Sequence, residues 1–163
     1  MQIFRKAVFD DEKAIFSLYK AVKIKGREDG TSDWDEDYPN KDILRDDLEN
    51  KRIFVLIEEA EIVAAISIFE EDELDIQSLD WAKVKACFLV RLCVSPKYQG
   101  KGIGEKMMRN ISDYAENKKF KATHHLAAKV NVAANRLYKR MGYRNVGMIH
   151  LYDTDFIAYE MLL

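Results

Sequence analysis

Apolar positions along this chain recur at two periods, and the places where the period changes mark out the elements. Ile3 to Ala7 alternates as a short strand, and Asp10 stands as a helix N-cap before Ile15, Leu18, Tyr19 and Val22, spaced i, i+3, i+4, i+7. An irregular acidic stretch of turn formers, GREDGTSDWDEDYPN, follows, and a second helix is predicted over Lys41 to Glu49. Two β-rich runs, Ile53 to Ile57 and Ile62 to Phe69, flank EEAE as a hairpin, and Val84 to Val94 reads as a longer third run. The stripe Ile103, Met107, Ile111, Tyr114 returns to helical spacing. A strand near Leu126 to Val130 comes next, followed by a helix with Ala134, Leu137, Tyr138 and Met141 on one face. Strands around Tyr143 to Ile149 and Phe156 to Leu162 close the chain. The predicted order is β-α-α-β-β-β-α-β-α-β-β, a mixed α/β chain with no repeat, linker or low-complexity segment.

Composition narrows this picture. A length of 163 residues, with 48% hydrophobic and 11% aromatic residues, suits one domain over 1–163 with its own core. The opening MQIFRKAVFD lacks an apolar signal region, and the apolar run Ile62 to Phe69 falls far short of the roughly 20 residues that span a bilayer. Cys87 and Cys93 lie on one strand-like run, where an extended backbone would hold them roughly 20 Å apart, too far to pair. The expectation is a soluble cytoplasmic protein in a reducing compartment, with no membrane partner. The net charge of −2 conceals a polarity: residues 28–49 hold ten acids and two bases, 58–75 eight acids and no base, and 97–144 twelve bases and three acids. Separate solvated faces would explain each block alone, whereas the separation as a whole favours an anionic ligand on one side and a cationic one on the other.

The basic block centres on VSPKYQGKGIGEKMMRNISDYAENKK, with Gly100, Gly102 and Gly104 at alternate positions before a helical stretch. Glycines let successive N–H groups converge on one anion at the positive end of a helix, and a diphosphate suits such a cradle. The spacing lacks the later glycine of the dinucleotide fingerprint and the Ser or Thr of a P-loop. A flexible strand-to-helix turn is the competing reading.

A second constellation, N-V-A-A-N-R-L-Y-K-R-M-G-Y at residues 131–143, joins V-x-P-x-Y-Q-G-K-G-I-G. Together they resemble the GCN5-related N-acetyltransferases, whose first motif is matched by Gln99, Gly102 and Gly104. The second motif is matched by Asn131, Ala134, Leu137, Tyr138, Gly142 and Tyr143. The element order is similar to that fold from end to end. The W-x-x-x-Y-P of residues 34–39 and the closing Tyr159-Glu160 are similar to a bacterial subgroup.

The resemblance implies a single domain with a mixed, mostly antiparallel sheet of about seven strands and about four helices. It implies direct transfer of an acetyl group from acetyl-CoA to a primary amine of a small molecule or peptide, with no metal. Gln99, Gly100, Lys101, Gly102, Ile103 and Gly104 would hold the phosphates of acetyl-CoA, and Leu92, Cys93 and Val94 would pair with its pantetheine arm alongside a fourth strand splayed from the fifth. The N–H of Val94 would polarise the thioester carbonyl. Asn131 would bind the cofactor's amide chain or cap a helix, or do both. Tyr138 would give a proton or hydrogen bond to the leaving thiolate, although its spacing alone makes it a core residue.

The general base is left unassigned, because the fourth strand carries no Asp, Glu or His between Ala86 and Val94. Asp80, Glu70, His124 and His125 are candidates, each read first as an ordinary surface or strand-end residue. Arg91, within that strand, binds a substrate carboxylate or pairs with a buried acid such as Asp80. Cys93 could form a mixed disulfide with the cofactor thiol on oxidation. Trp34 and Tyr38 could stack on a cationic acceptor drawn by the acidic stretch and by segment 70–75. A non-catalytic acyl-CoA-binding or sensing module is the alternative. A nucleic-acid partner is disfavoured by the overall acidity, and a homodimer is compatible with all of this.

Overall fold

The structure, a computed structural model, describes residues 1–71 and 79–163. Among the described residues seven strands and four helices follow in the predicted order. The strand order across the sheet is β1-β2-β3-β4-β5-β7-β6. By its internal contacts the chain divides into two units, one of Met1–Ser67 with Arg91–Asn110, the other of Ile68–Val90 with Ile111–Leu163.

In the first unit β1 (Gln2–Lys6) runs antiparallel to β2 (Ile53–Glu58), and β2 to β3 (Glu61–Phe69). The β2–β3 hairpin turns on Glu59 and Ala60, both in the left-handed region at φ 50° and 65°. That is a two-residue turn of the twist antiparallel strands favour, made here without glycine. Helix α1 (Glu12–Asp29) is capped one residue later than expected. Asp10 lies inside a 3-10 turn (Phe9–Asp11), and the cap position falls to Asp11. The Asp11 carboxylate is occupied by the Val8 N–H at 2.8 Å and by Arg5 at 2.7 and 3.0 Å. Helix α2 (Lys41–Glu49) has the predicted bounds and a true cap, since the Asn40 side chain accepts from the Ile43 N–H at 2.9 Å. Ile15, Leu18 and Tyr19 of α1 and Leu44 and Leu48 of α2 bury their stripes against Ile53, Val55, Ala65 and Cys93.

In the second unit the first half of β4 (Ala86–Val94) runs parallel to β5 (Ala122–Ala128), in register from Ala86↔Ala122 to Leu89↔His125. Strand β7 (Thr154–Leu162) lies antiparallel to β5 and to β6 (Arg144–Leu151). The expected strand at 126–130 is thus displaced to begin at Ala122. Thr123, His124 and His125 read as polar in sequence, yet all three are buried as strand residues. Gly147, at φ 134°, takes up a register shift in β6. The exposed flank of that edge strand is partly covered: the Asp80 N–H reaches the Val146 carbonyl at 3.4 Å, and Arg144 donates to the Asp80 carbonyl at 2.7 Å. Helix α4 (Val132–Arg140) is capped by Asn131, whose side-chain oxygen accepts from the Ala134 N–H at 3.2 Å. Among the described residues no helix is long and apolar enough to cross a membrane. Of the acidic segment 70–75, residues 72–75 lie outside the described residues.

Candidate active site

In the first unit the predicted cofactor-binding residues from Leu92 to Gly104 follow one another along the end of β4 and into helix α3 (Ile103–Asn117). Leu92, Cys93 and Val94 close β4, and the Gln99 amide folds back to donate to the Val94 carbonyl at 3.2 Å. A 3-10 turn (Pro96–Tyr98) leads to Gly100 and Gly102, at φ 76° and 79°. A Cβ at either glycine would meet nothing within 4 Å, so it is backbone conformation and not crowding by protein that calls for glycine there. Gly104 differs, being the second residue of α3. The Gly102 carbonyl accepts from the Lys106 N–H at 3.1 Å, so the N–H groups of Ile103 and Gly104 precede the first helical hydrogen bond as first-turn donors. Lys101 lies over the Tyr98 ring at 5.4 Å. First-turn amides, the positive end of a helix and the local bases Lys97, Lys101 and Lys106 make this segment chemically suited to a diphosphate.

Cys93 is 3% exposed, and burial pushes its thiol up to about 12, against the small opposing effect of a hydrogen bond with the Ala65 backbone. It is a packed, protonated side chain, poorly disposed to the disulfide chemistry considered for it. Arg91 sits in β4 with φ 56°, a left-handed residue within a strand. Its partner is Asp47 of α2 and not Asp80. The Asp47 Oδ2 accepts from Arg91 Nη2 at 2.6 Å and Nε at 3.1 Å, and from the Ser67 hydroxyl at 2.8 Å. Arg91 Nη1 also donates to the Tyr38 hydroxyl at 3.1 Å. The Trp34 ring packs edge-on against Tyr19 with centroids 5.5 Å apart. Beneath the acidic loop, the buried Lys23 donates to the Pro39 carbonyl at 2.6 Å, and burial lowers its pKa against the opposing charges of Asp35, Asp37 and Glu36.

In the second unit Tyr138 is buried in a ring cluster with His125 at 4.2 Å, Tyr159 at 5.2 Å and Tyr143 at 5.6 Å between centroids. The Tyr159 hydroxyl is committed to the Asn135 side-chain oxygen at 2.6 Å. The Tyr138 hydroxyl makes no hydrogen bond among the described residues, and burial raises its pKa, so the phenol stays protonated. Asn131 spends its oxygen on the α4 cap, while its amide N–H groups have no partner among the described residues. The capping role expected of Asn131 is thus the one the structure shows.

The candidate bases separate clearly. His124 shares a 2.8 Å hydrogen bond with the buried Glu160 and stacks on Trp81, and Asp80 pairs with Arg144 at 3.2 Å. Burial drops His125 to about 3, with the neighbouring His124 adding to the shift, and neither of its ring nitrogens has a partner among the described residues. Glu70 is exposed just past β3 and forms no hydrogen bond or ion pair among the described residues. Sequence reasoning missed Asp47, which sits in an acidic block resembling a solvated face. It also missed Asn135, whose amide ties the carbonyls of Ala128 and Asn131 at 3.0 and 2.9 Å and so shapes the β5–α4 corner.

The model of the acetyltransferase (GNAT) family matches residues 13–143, a span that takes in the glycine loop, Asn131 and Tyr138. The chain belongs to this family. Its fold is similar to that of a GNAT-family acetyltransferase from Streptococcus agalactiae, with a TM-score of 0.86 at 20% identity over 99% of this chain and 95% of that one. It is similar also to the ribosomal-protein-S18-alanine N-acetyltransferase of Escherichia coli, with a TM-score of 0.74 at 16% identity over 99% and 94%. A chain of the NatC complex bound to Gag peptide and CoA gives 0.73 at 16% identity over 99% and 98%. A comparison with curated proteins found no match. The GNAT fold expected from the two motifs is therefore the fold of this chain.

Proposed function

We propose that residues 1–163 act as one catalytic domain, a cytoplasmic enzyme that moves the acetyl group of acetyl-CoA to the amine of a small molecule or peptide. The observation that carries this reading is the pair of left-handed glycines at the mouth of α3, where amides and lysines suit the phosphates of coenzyme A. The thioester of acetyl-CoA supplies the activated acyl group, and the amine attacks it directly. The Leu92–Val94 backbone lies along the pantetheine arm, with the Val94 N–H polarising the carbonyl. Asn131 gives its free amide to the cofactor chain. Tyr138 is the proton donor to the departing thiolate, since its protonated hydroxyl has no partner among the described residues competing for it.

Deprotonation of the amine falls to solvent, with Glu70 the carboxylate we assign to assist it, because among the described residues it forms no hydrogen bond or ion pair. Trp34 and Tyr38 border the acceptor through their acidic loop. Arg91 braces Tyr38 and does not take a substrate carboxylate itself, because Asp47 already holds two of its nitrogens. The test is thiol release from acetyl-CoA across a library of amines and N-terminal peptides. Release that rises with one class of amine and yields its acetylated product supports the enzyme. Cofactor binding with no amine-dependent release across the library would instead favour an acyl-CoA-binding module.

A further inference from the structure

Outside the residues given to acetyl transfer, the second unit carries an open groove of about 540 Å³ along the flank of α4. Its floor is Tyr143, Ile157 and Tyr159, and its rim is Lys129, Arg136 and Lys139. All three bases are exposed, and none forms an ion pair among the described residues. Three like charges gathered without an acid repel one another, so an arrangement of this kind favours a bound anion. The floor is built and not incidental. The Tyr159 hydroxyl is pinned to Asn135, whose amide also holds the carbonyls of Ala128 and Asn131 on either side of Lys129. The backbone of Lys129 is fixed further by its N–H to the Asp155 carbonyl at 2.8 Å.

We propose that this groove is a second binding site, separate from the glycine loop, for a small organic anion: a planar ring or short apolar body carrying a phosphate or carboxylate. The apolar part lies on Tyr143, Ile157 and Tyr159, and the anionic group is held by Lys129, Arg136 and Lys139. The volume falls within the roughly 300–1,000 Å³ of small-molecule sites, and mostly apolar walls with a few convergent charges are the usual form of such sites.

Phenyl phosphate is the probe, titrated by calorimetry and followed by amide chemical shifts, with inorganic phosphate and phenol as controls and saturating coenzyme A as a competitor. Phenyl phosphate should bind at least tenfold tighter than either control and shift Ile157 and Tyr159. Lys129→Glu/Lys139→Glu should weaken it at least tenfold while leaving coenzyme A binding and far-ultraviolet dichroism unchanged, because both side chains are exposed. Equal binding of phosphate and phenyl phosphate would reduce the groove to an adventitious ion site and overturn the proposal. Displacement by coenzyme A, or an unaffected double variant, would overturn it as well.

Discussion

Replacing Arg91 with Met tests whether the charge within β4 is a structural brace. Met keeps the Cβ and the unbranched stem, so the left-handed backbone at φ 56° is equally strained in both proteins and only the guanidinium is removed. What remains is the carboxylate of Asp47, 1% exposed, with the Ser67 hydroxyl at 2.8 Å and Arg52 at 3.6 Å as its nearest partners. Removing one member of a buried pair costs about 3–5 kcal/mol, because the other charge stays desolvated. For a chain of this length each kcal/mol lowers Tm by about 2–4 °C, so the variant should melt roughly 6–20 °C below the parent. Equilibrium unfolding in urea with the slope unchanged gives the free energy directly.

Asp47→Leu added to Arg91→Met removes both charges, and it should recover at least half of the loss. What is not recovered reflects the Ser67 hydroxyl, buried and without its acceptor. A single variant within about 0.5 kcal/mol of the parent, the scatter of ordinary surface substitutions, would refute the brace. So would a double variant no better than the single. A rise in KM for a carboxylate-bearing acceptor, with stability intact, would return Arg91 to substrate binding.

Tyr138→Phe keeps the ring cluster and removes the uncommitted hydroxyl; turnover should fall about 10- to 1000-fold with acetyl-CoA affinity nearly unchanged, measured where chemistry limits the rate. Gly102→Val puts a branched side chain at φ 79°, which costs about 1–2 kcal/mol of backbone strain, and places it where a phosphate would approach. Acetyl-CoA should then no longer raise Tm, and a normal thermal shift would remove the loop from the cofactor site. His125 is neutral in the folded chain down to about 3, whereas the unfolded chain protonates it near 6.5, so between these values the unfolded state binds the extra proton and stability falls as pH falls. From pH 7 to pH 5 this group should cost about 2 kcal/mol, and His125→Phe should flatten that part of the profile. The interval lies above the range in which Glu160, held below its ordinary value against the opposing effect of burial by Arg144, the Ala82 N–H and His124, would contribute. An unchanged slope would show that the imidazole reaches water.

The elements were legible wherever hydrophobic spacing and local chemistry agreed. Helix α2 has the predicted bounds because Asn40 caps it by a bond three residues away, and the glycine loop was legible because positive φ is a property of one residue at a time. Strand β5 was displaced because Thr123, His124 and His125 owe their burial to partners far off in sequence, Glu160 among them, 36 positions from His124. The hairpin turn at Glu59–Ala60 takes positive φ with side chains that give no turn signal, so strand pairing must hold it there.

The same division runs through the site. The backbone groups and glycines proposed for the phosphates and the pantetheine arm lie within Leu92 to Gly104, one strand-turn-helix segment, and a pattern of that length survives in a single sequence. Arg91 and Asp47 are 44 positions apart, and in sequence one reads as an anomaly in a strand and the other as a surface acid. Each explains the other only when α2 is laid against β4 within the first unit. Tyr138 shows the intermediate case. Its place on the apolar face of α4 was visible, and the family motif marked it as reactive, but its availability for chemistry depends on what its neighbours do. Tyr159 is a phenol in the same cluster, and its hydroxyl is taken by Asn135 at 2.6 Å, whereas that of Tyr138 has no such partner among the described residues. Of two similar side chains in one cluster, the packing leaves the motif residue able to donate, a distinction carried by Asn135, which no spacing of tyrosines could have revealed.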